Sequence, residues 1–412
     1  MFPQRYNTEA LTENTGAETE NNFHGTMKGT KYSMKTIIKK ISQYYQRLDK
    51  WLLIAVTFCA GISSVLLYSL SNIEAAGIGP KLYATQVIST VFGILICLIL
   101  TNIDYHNLVK LWFIFAPVAL VLTMLTFTPL GIQRSGADDR AWLNLGFTTI
   151  QPSEILKLAF ILTFAYHIAK VQDKLNHPLN VLLLCIHGAV PLGLVAIQGD
   201  YGTVIVFLMM FLVMLFSAGI SIKYIIAALI AAIPGVYILW NYVLQSVHKK
   251  RILVLLHPGT DPMGLEYQQD LGLMSLGSGK LFGKGLSGKD YVDVPEIYND
   301  FIFSYIGHVF GFIGAVAVVV ILAYICLKIL IDSRSAKDPL GKTICMGVFA
   351  LLFTHCFMNI GMVLKVMPVI GIPLPFFSAG GTALLSMYVA IGFVMSCYCH
   401  NDKKYRMFYD YE

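Results

Sequence analysis

Asp300 is the last charged side chain before the chain enters an apolar run, in Val294-Pro-Glu-Ile-Tyr-Asn-Asp-Phe-Ile-Phe303. A carboxylate at a water–lipid boundary is partly desolvated, which raises its pKa toward the range useful for taking a proton. The structural alternative is a helix cap supplied by Asn299 or Asp300. A second group opens another apolar run at Gln151-Pro-Ser-Glu-Ile-Leu-Lys157. Glu154 and Lys157 are three apart, so they share a helical face and can pair. Ions at that depth are costly unless paired or facing a wet cavity, so they form either a structural ion pair or a cavity wall. Asp200, in Gln198-Gly-Asp-Tyr-Gly-Thr203, either caps a helix or joins that cavity. The turns of Gly277-Ser-Gly-Lys-Leu-Phe-Gly-Lys-Gly285 bring Lys280 and Lys284 and could let backbone amides approach a phosphate. Cys397-Tyr-Cys399-His400 has no matching second half, and no metal site is expected there.

These groups need elements that hold them at a membrane. The chain has 412 residues, 56% hydrophobic and 13% charged, with a mean hydropathy of +0.66. That is more apolar surface than one water-soluble core can bury. The apolar residues come in blocks of about 18–25, the length that crosses a bilayer as a helix. Trp51–Leu70 is the first block, retained because the polar N-terminus makes a poor secretory signal. Others follow near 82–101, 111–130, 153–169, 179–197, 201–219, 222–245, 301–331, 342–366 and 375–398. The expectation is an all-α polytopic membrane protein of ten transmembrane helices, with a long extracytoplasmic loop, 246–300, between helices 7 and 8. Residues 1–47 read as a largely disordered basic tail, 48–399 as the membrane domain and 400–412 as a second tail.

Lys and Arg cluster in the N-terminal tail, at Lys170, Lys174 and Lys223, between Lys328 and Lys342, and from Lys403 to Arg406. Those positions fall on one side if both termini are cytoplasmic, which puts the Asp300 loop outside. The net charge of +6 suits anionic lipid head groups, and no basic stretch carries a nucleic-acid-binding motif. All eight cysteines lie in or beside apolar blocks, so a disulfide framework is not expected. Met367-Pro-Val-Ile-Gly-Ile-Pro-Leu-Pro-Phe-Phe-Ser-Ala-Gly-Gly-Thr382 adds irregular backbone, tolerated at membrane depth only inside protein or along a hydrophilic cavity. The polar and helix-breaking segments thus gather at the outer face, where function is expected.

With these segments the chain resembles the SEDS family (RodA, FtsW and SpoVE proteins). The matching runs are Ala141-Trp-Leu-Asn-Leu-Gly146, Gln151 to Lys157, Gln198 to Thr203, Gly277-Ser-Gly with Gly283-Lys-Gly285, Pro295-Glu296, Asp300 to Phe303, Phe310-Gly-Phe-Ile-Gly314, Gly371 to Phe376 and Ser378 to Thr382. They span about Leu48 to Cys399. Asn102-Ile-Asp-Tyr105 and the Gly-Ile-Pro-Leu-Pro-Phe run look more like the RodA branch.

The resemblance implies a peptidoglycan glycosyltransferase that polymerises lipid II at the outer face of the cytoplasmic membrane, beside a class B penicillin-binding protein. Asp300 matches the family's essential carboxylate, with the implied role of general base. The departing diphosphate needs cations or a divalent metal such as Mg2+ or Mn2+. Arg140, Lys157, Lys280 and Lys284 are the candidate cations. Trp142 offers a face for a sugar or an interfacial anchor. Gln151, Ser153, Glu154, Asp200, Glu296 and Ser378 complete the expected substrate-binding set. The chain departs from the family pattern at Tyr298 and Asn299, where His-Thr is usual, and at His308 and Val309, where two Glu are usual. Gly199 also stands where Pro is usual, and Ala379 replaces a Tyr. Two other roles stay open: a transporter of the lipid-linked sugar, and a catalytically silent scaffold of the wall-synthesis complex.

Overall fold

The structure, a computed structural model, describes residues 48–401 apart from 134–138, 147–148, 245, 258, 260, 262–263 and 289. The chain divides into two units, 1–47 and 48–412. The two tails expected at the termini lie outside the described residues, except for 400 and 401.

Thirteen α-helices are described: α1 Lys50–Ser71, α2 Pro80–Asn102, α3 Tyr105–Lys110, α4 Trp112–Met124, α5 Pro152–Val171, α6 Pro178–Gln198, α7 Tyr201–Ala218, α8 Ile222–Ile238, α9 Ser246–Leu256, α10 Leu265–Ser278, α11 Ile302–Ser335, α12 Pro339–Val363 and α13 Gly381–Cys399. Their starts follow local chemistry. Proline stands in the first turn of α2, α5, α6 and α12, where a missing N–H does no harm. Asp104, Asp200 and Asp338 cap α3, α7 and α12 through their side chains.

Eight of the ten expected blocks form helices long and apolar enough to cross a membrane. The other two are the shorter apolar helix Trp112–Phe127 and α5, which carries Glu154 and Lys157. The all-α expectation needs one addition. Three short antiparallel strands, β1 Gly131–Ile132, β2 Trp142–Asn144 and β3 Thr149–Ile150, pair in the order β1-β2-β3. Trp142 stands opposite Ile132, and Leu143 opposite both Gly131 and Ile150.

α12, with α13, is the most buried of the long apolar helices. Its Gly347 leaves room for Ile161 of α5 and Met214 of α7. α8 lies at the other extreme, with no buried residue, as a lipid-facing helix would.

α11 is expected as one uninterrupted span, but it breaks at Gly311, whose φ of 68° and ψ of −167° are not helical. In an unbroken helix Phe312 and Ile313 would donate to the carbonyls of His308 and Val309. Here the Gly-rich turn inserts between them. Phe312 N and Ile313 N donate to Lys280 O and Leu281 O at 2.7 and 3.2 Å, while His308 O and Val309 O accept from Lys284 N and Gly285 N at 2.9 and 3.0 Å. Two lost helical bonds are replaced by four, which is what backbone at membrane depth requires. The fit depends on missing side chains. A Cβ on Gly279 would collide with Gly307 O, one on Gly283 with Val309 O, and one on Gly311 with Gly283 N. Gly283 and Gly311 also hold positive φ.

Candidate functional site

Asp300 lies two residues before α11, half-buried, in a turn whose hub is the carbonyl of Glu296. That oxygen accepts from Asn299 N at 3.0 Å and Phe301 N at 3.2 Å, with Glu296 itself at a positive φ of 55°. The Glu296 side chain is exposed and takes the Tyr298 hydroxyl at 3.2 Å. The carbonyls of Tyr298, Asn299 and Asp300 are each held from outside the turn. Ala379 N donates to Tyr298 O at 2.8 Å. Ser378 Oγ donates to Asn299 O at 2.6 Å while accepting Leu374 N at 2.7 Å. Asn359 Nδ2 donates to Asp300 O at 2.8 Å. Against the carboxylate lies Gly371, with φ of 67°, where a Cβ would stand 3.7 Å from Asp300 Oδ2.

Asp300 is therefore not a side-chain cap, since Phe301 caps α11 with no side-chain bond. Asn299 does not fill that role either. Ser378, expected to touch substrate, has its hydroxyl committed to two backbone groups, so it shapes the turn.

Beneath this turn sits a buried polar chain. Ser386 Oγ donates to Glu154 Oε2 at 2.6 Å, and Lys157 Nζ donates to Glu154 Oε1 at 2.8 Å. Lys157 Nζ also lies 3.2 Å from His355 Nε2, and His355 Nδ1 lies 3.1 Å from Pro373 O. Glu154 and Lys157 are 2% and 1% exposed, which satisfies the ion-pair reading and puts their charges inside protein. Pro373 belongs to the segment that packs on Asp300, so two hydrogen-bonded steps join the pair to the backbone lying against the carboxylate. Ser153 is buried beside Glu154, and its hydroxyl has no partner among the described residues.

A third cluster approaches from α7. Asp200 Oδ1 caps the helix through Thr203 N at 2.9 Å, and its Oδ2 accepts Gln151 Nε2 at 3.2 Å. The cap reading of Asp200 is the one these bonds show. Burial pushes its carboxyl above the usual range, against the Thr203 bonds that lower it. Gly202 lies against Ile370 O, so α7 reaches the same proline-rich segment. Arg140 is exposed, donating through Nε to Gly131 O at 3.1 Å and Nη2 to Thr128 O at 3.0 Å, while its N–H reaches Gln198 O at 3.2 Å. Trp142 is half-buried on β2.

The Gly-rich turn does not join this assembly. Lys284 N and Gly285 N are spent on α11 carbonyls, so they are not amides open to a phosphate. Lys284 Nζ pairs with Asp290 Oδ2 at 2.8 Å. Lys280 is exposed beside the Gly311 break and lines an apolar cavity of about 310 Å³ with Phe303, Gly307 and Ile360. Along α11 the Gly311 break is on the order of 15 Å from Asp300. His308, at a position where the family resemblance implies a carboxylate, is 1% exposed. It accepts or donates at Nδ1 to Ser278 Oγ at 2.7 Å and stacks on Tyr305. Sequence reasoning missed His355 and Asn359. Their signal was present: two polar residues four apart in an apolar block, a pattern that marks function at membrane depth. Among the described residues no group of three or more His, Cys, Asp or Glu side chains is arranged to hold a metal ion. The described residues thus offer no preformed three-ligand site for a divalent cation.

Fold and site together define a polytopic helical membrane protein with a half-buried carboxylate at one end of its bundle. The FTSW_RODA_SPOVE family model, described as "Cell cycle protein", matches residues 50–403, and the chain belongs to that family. It is 31% identical over 352 residues to the probable peptidoglycan glycosyltransferase FtsW of Geobacter sp. (strain M18), covering 82% of this chain and 92% of that one. To the peptidoglycan glycosyltransferase MrdB of Escherichia coli (strain K12) it is 30% identical over 343 residues, covering 82% and 91%. Both branches of the family thus match at nearly equal identity. Among solved structures, a chain of a peptidoglycan synthase complex that coordinates polymerization and crosslinking superposes with a TM-score of 0.72 at 23% identity, covering 85% of this chain and 97% of that one. The Thermus thermophilus rod shape determining protein RodA gives 0.64 at 22%, covering 86% and 98%. These two likenesses bear on the fold.

Proposed function

We propose that this chain is a peptidoglycan glycosyltransferase that polymerises lipid II, with the Asp300 end of the bundle facing outward, both termini cytoplasmic and ten spans in all. The observation that carries the reading is the Asp300 turn, a half-buried carboxylate whose backbone is fixed at three successive carbonyls. Such a group is held in place before substrate arrives, which is what proton abstraction requires. Asp300 takes the proton from the acceptor sugar's 4-hydroxyl. The freed oxygen bonds to the donor's anomeric carbon as the bond from that carbon to the lipid diphosphate breaks, and undecaprenyl diphosphate leaves with the electron pair. Arg140, an exposed cation whose backbone N–H bonds Gln198 O, steadies the departing charge. The names of the relatives support the same chemistry, and the likeness to a synthase complex supports a class B penicillin-binding protein as partner.

The test is glycan-strand formation from purified lipid II in detergent. Wild type is expected to make polymer and Asp300→Asn to make none. Intact synthesis by Asp300→Asn would overturn the reading. Movement of labelled lipid II across liposomes without polymer would replace it with transport.

A further inference from the structure

We propose that Asn359 is a positioning residue for this reaction, acting through Asp300 by tying its turn to the proline-rich segment 367–382. The inference rests on Asp300 being the base. Asn359 lies in α12 and is 0% exposed. Its Nδ2 donates two bonds, to Asp300 O and to Ile372 O, each at 2.8 Å. Carbonyls only accept, so the orientation of the amide is settled by its partners. Few neutral side chains can donate twice from one atom, and a buried cation in this place would need its own counter-charge.

One nitrogen therefore spans the two strands of backbone that make the site. On one side is the residue bearing the carboxylate. On the other is Ile372, next to Gly371, against which that carboxylate lies. The Asn359 amide sets the separation between them. His355, one turn earlier on the same face, holds the adjoining Pro373 carbonyl. Lys157 can only donate, so His355 accepts at Nε2 and carries its proton on Nδ1, directed at Pro373. α12 thus presents a ladder of donors to Asp300, Ile372 and Pro373.

Gln269 of α10 provides an internal control. It too is buried, and its Nε2 also donates twice, to Met362 O at 2.8 Å and Met367 O at 3.0 Å. It anchors the far end of the same proline-rich segment without touching the Asp300 turn. If holding the segment were all that mattered, Asn359 and Gln269 would be equivalent.

The experiment uses the purified full-length protein with lipid II, measuring kcat and KM for polymerisation and thermal unfolding in detergent. Asn359→Ala is expected to lower kcat about 30- to 100-fold with KM within about threefold, the signature of a displaced base. Gln269→Ala is expected to change kcat less than about threefold at a similar loss of thermal stability. Ser378→Ala acts on the neighbouring carbonyl, so adding it to Asn359→Ala should cost much less than it does alone. Asn359→Ser, keeping one donor, carries the same comparison if the alanine variant does not fold. The proposal is overturned if kcat survives in the Asn359 variants, or if Gln269→Ala matches them. It is also overturned if the double variant is additive. Asp300→Asn run alongside separates the two ideas. Should Asp300→Asn be dead and Asn359→Ala active, the glycosyltransferase reading stands and the positioning role falls.

Discussion

Lys157 Nζ lies 2.8 Å from Glu154 Oε1 and 3.2 Å from His355 Nε2, with all three side chains buried. The ammonium therefore does two things at once. It neutralises a carboxylate in the interior and fixes the tautomer of the histidine that holds Pro373. Buried pairs of this kind give little net stability over apolar substitutes, because desolvation offsets the attraction. Removing one partner is another matter.

Lys157→Met alone strands Glu154 and is expected to destabilise the fold by about 3–5 kcal/mol. Glu154→Gln combined with Lys157→Met should recover most of that loss, since no charge is left unpaired. Activity should not recover with it, because His355 has then lost the donor that set its tautomer. Chemical denaturation in detergent and strand synthesis, run on the same preparations, check both halves. Recovery of activity along with stability would mean the pair serves only the fold.

The break in α11 gives a second prediction through its glycines. Gly283, Gly285 and Gly311 all have positive φ, but only Gly283 and Gly311 sit where a Cβ would overlap backbone. Gly285→Ala should therefore show the conformational penalty alone, about 1–2 kcal/mol. Gly311→Ala and Gly283→Ala must also pry the turn from the helix, exposing four backbone bonds, and are expected to lose more than about 3 kcal/mol each. Thermal unfolding of the three variants decides it. Equal losses would show that the inserted turn contributes nothing beyond local strain.

That turn also marks where the sequence stopped being legible. Blocks of apolar length located eight long helices, because a bilayer imposes its thickness on any chain that crosses it. Asp300 stood out because no other charge follows it for a whole span. The Gly-rich turn was readable as glycine-dependent but not as to what approaches those glycines. An amide facing a phosphate and an amide facing Val309 O need the same residue. The Gly311 break was hidden for a related reason: its replacement partners come from about 30 residues upstream. Which backbone groups Ser378 bonds was not legible, because a serine beside a proline-rich turn carries no sign of them.

The far end of the bundle offers a pH prediction independent of catalysis. His106 stands between two carboxylates, with Nδ1 2.8 Å from Asp104 Oδ1 and Nε2 3.0 Å from Asp338 Oδ2. Tyr105 also donates to Asp338 Oδ1 at 2.7 Å, and His400 adds positive charge near Asp104. Burial works against the imidazolium, but the bonds to Asp338 and Asp104 outweigh it, so the His106 pKa is raised from 6.5. Burial likewise opposes both carboxylates, yet their bonds to His106 hold them below 3.8. A raised histidine contributes stability that is complete below its unfolded value and is lost as pH rises through its folded one. The two depressed carboxylates contribute above their unfolded value and lose it as pH falls through their folded ones. The corner joining α2, α3 and α12 should therefore be tightest between about pH 4 and 6.5 and weaken above that range. Unfolding midpoints of wild type and His106→Gln, compared from about pH 5 to pH 9, give the measurement. The wild-type advantage is expected to be largest at the acid end and to shrink steadily upward. An advantage that grew with pH would mean that His106 works as a neutral hydrogen-bonding group and that the two aspartates are balanced by some other charge.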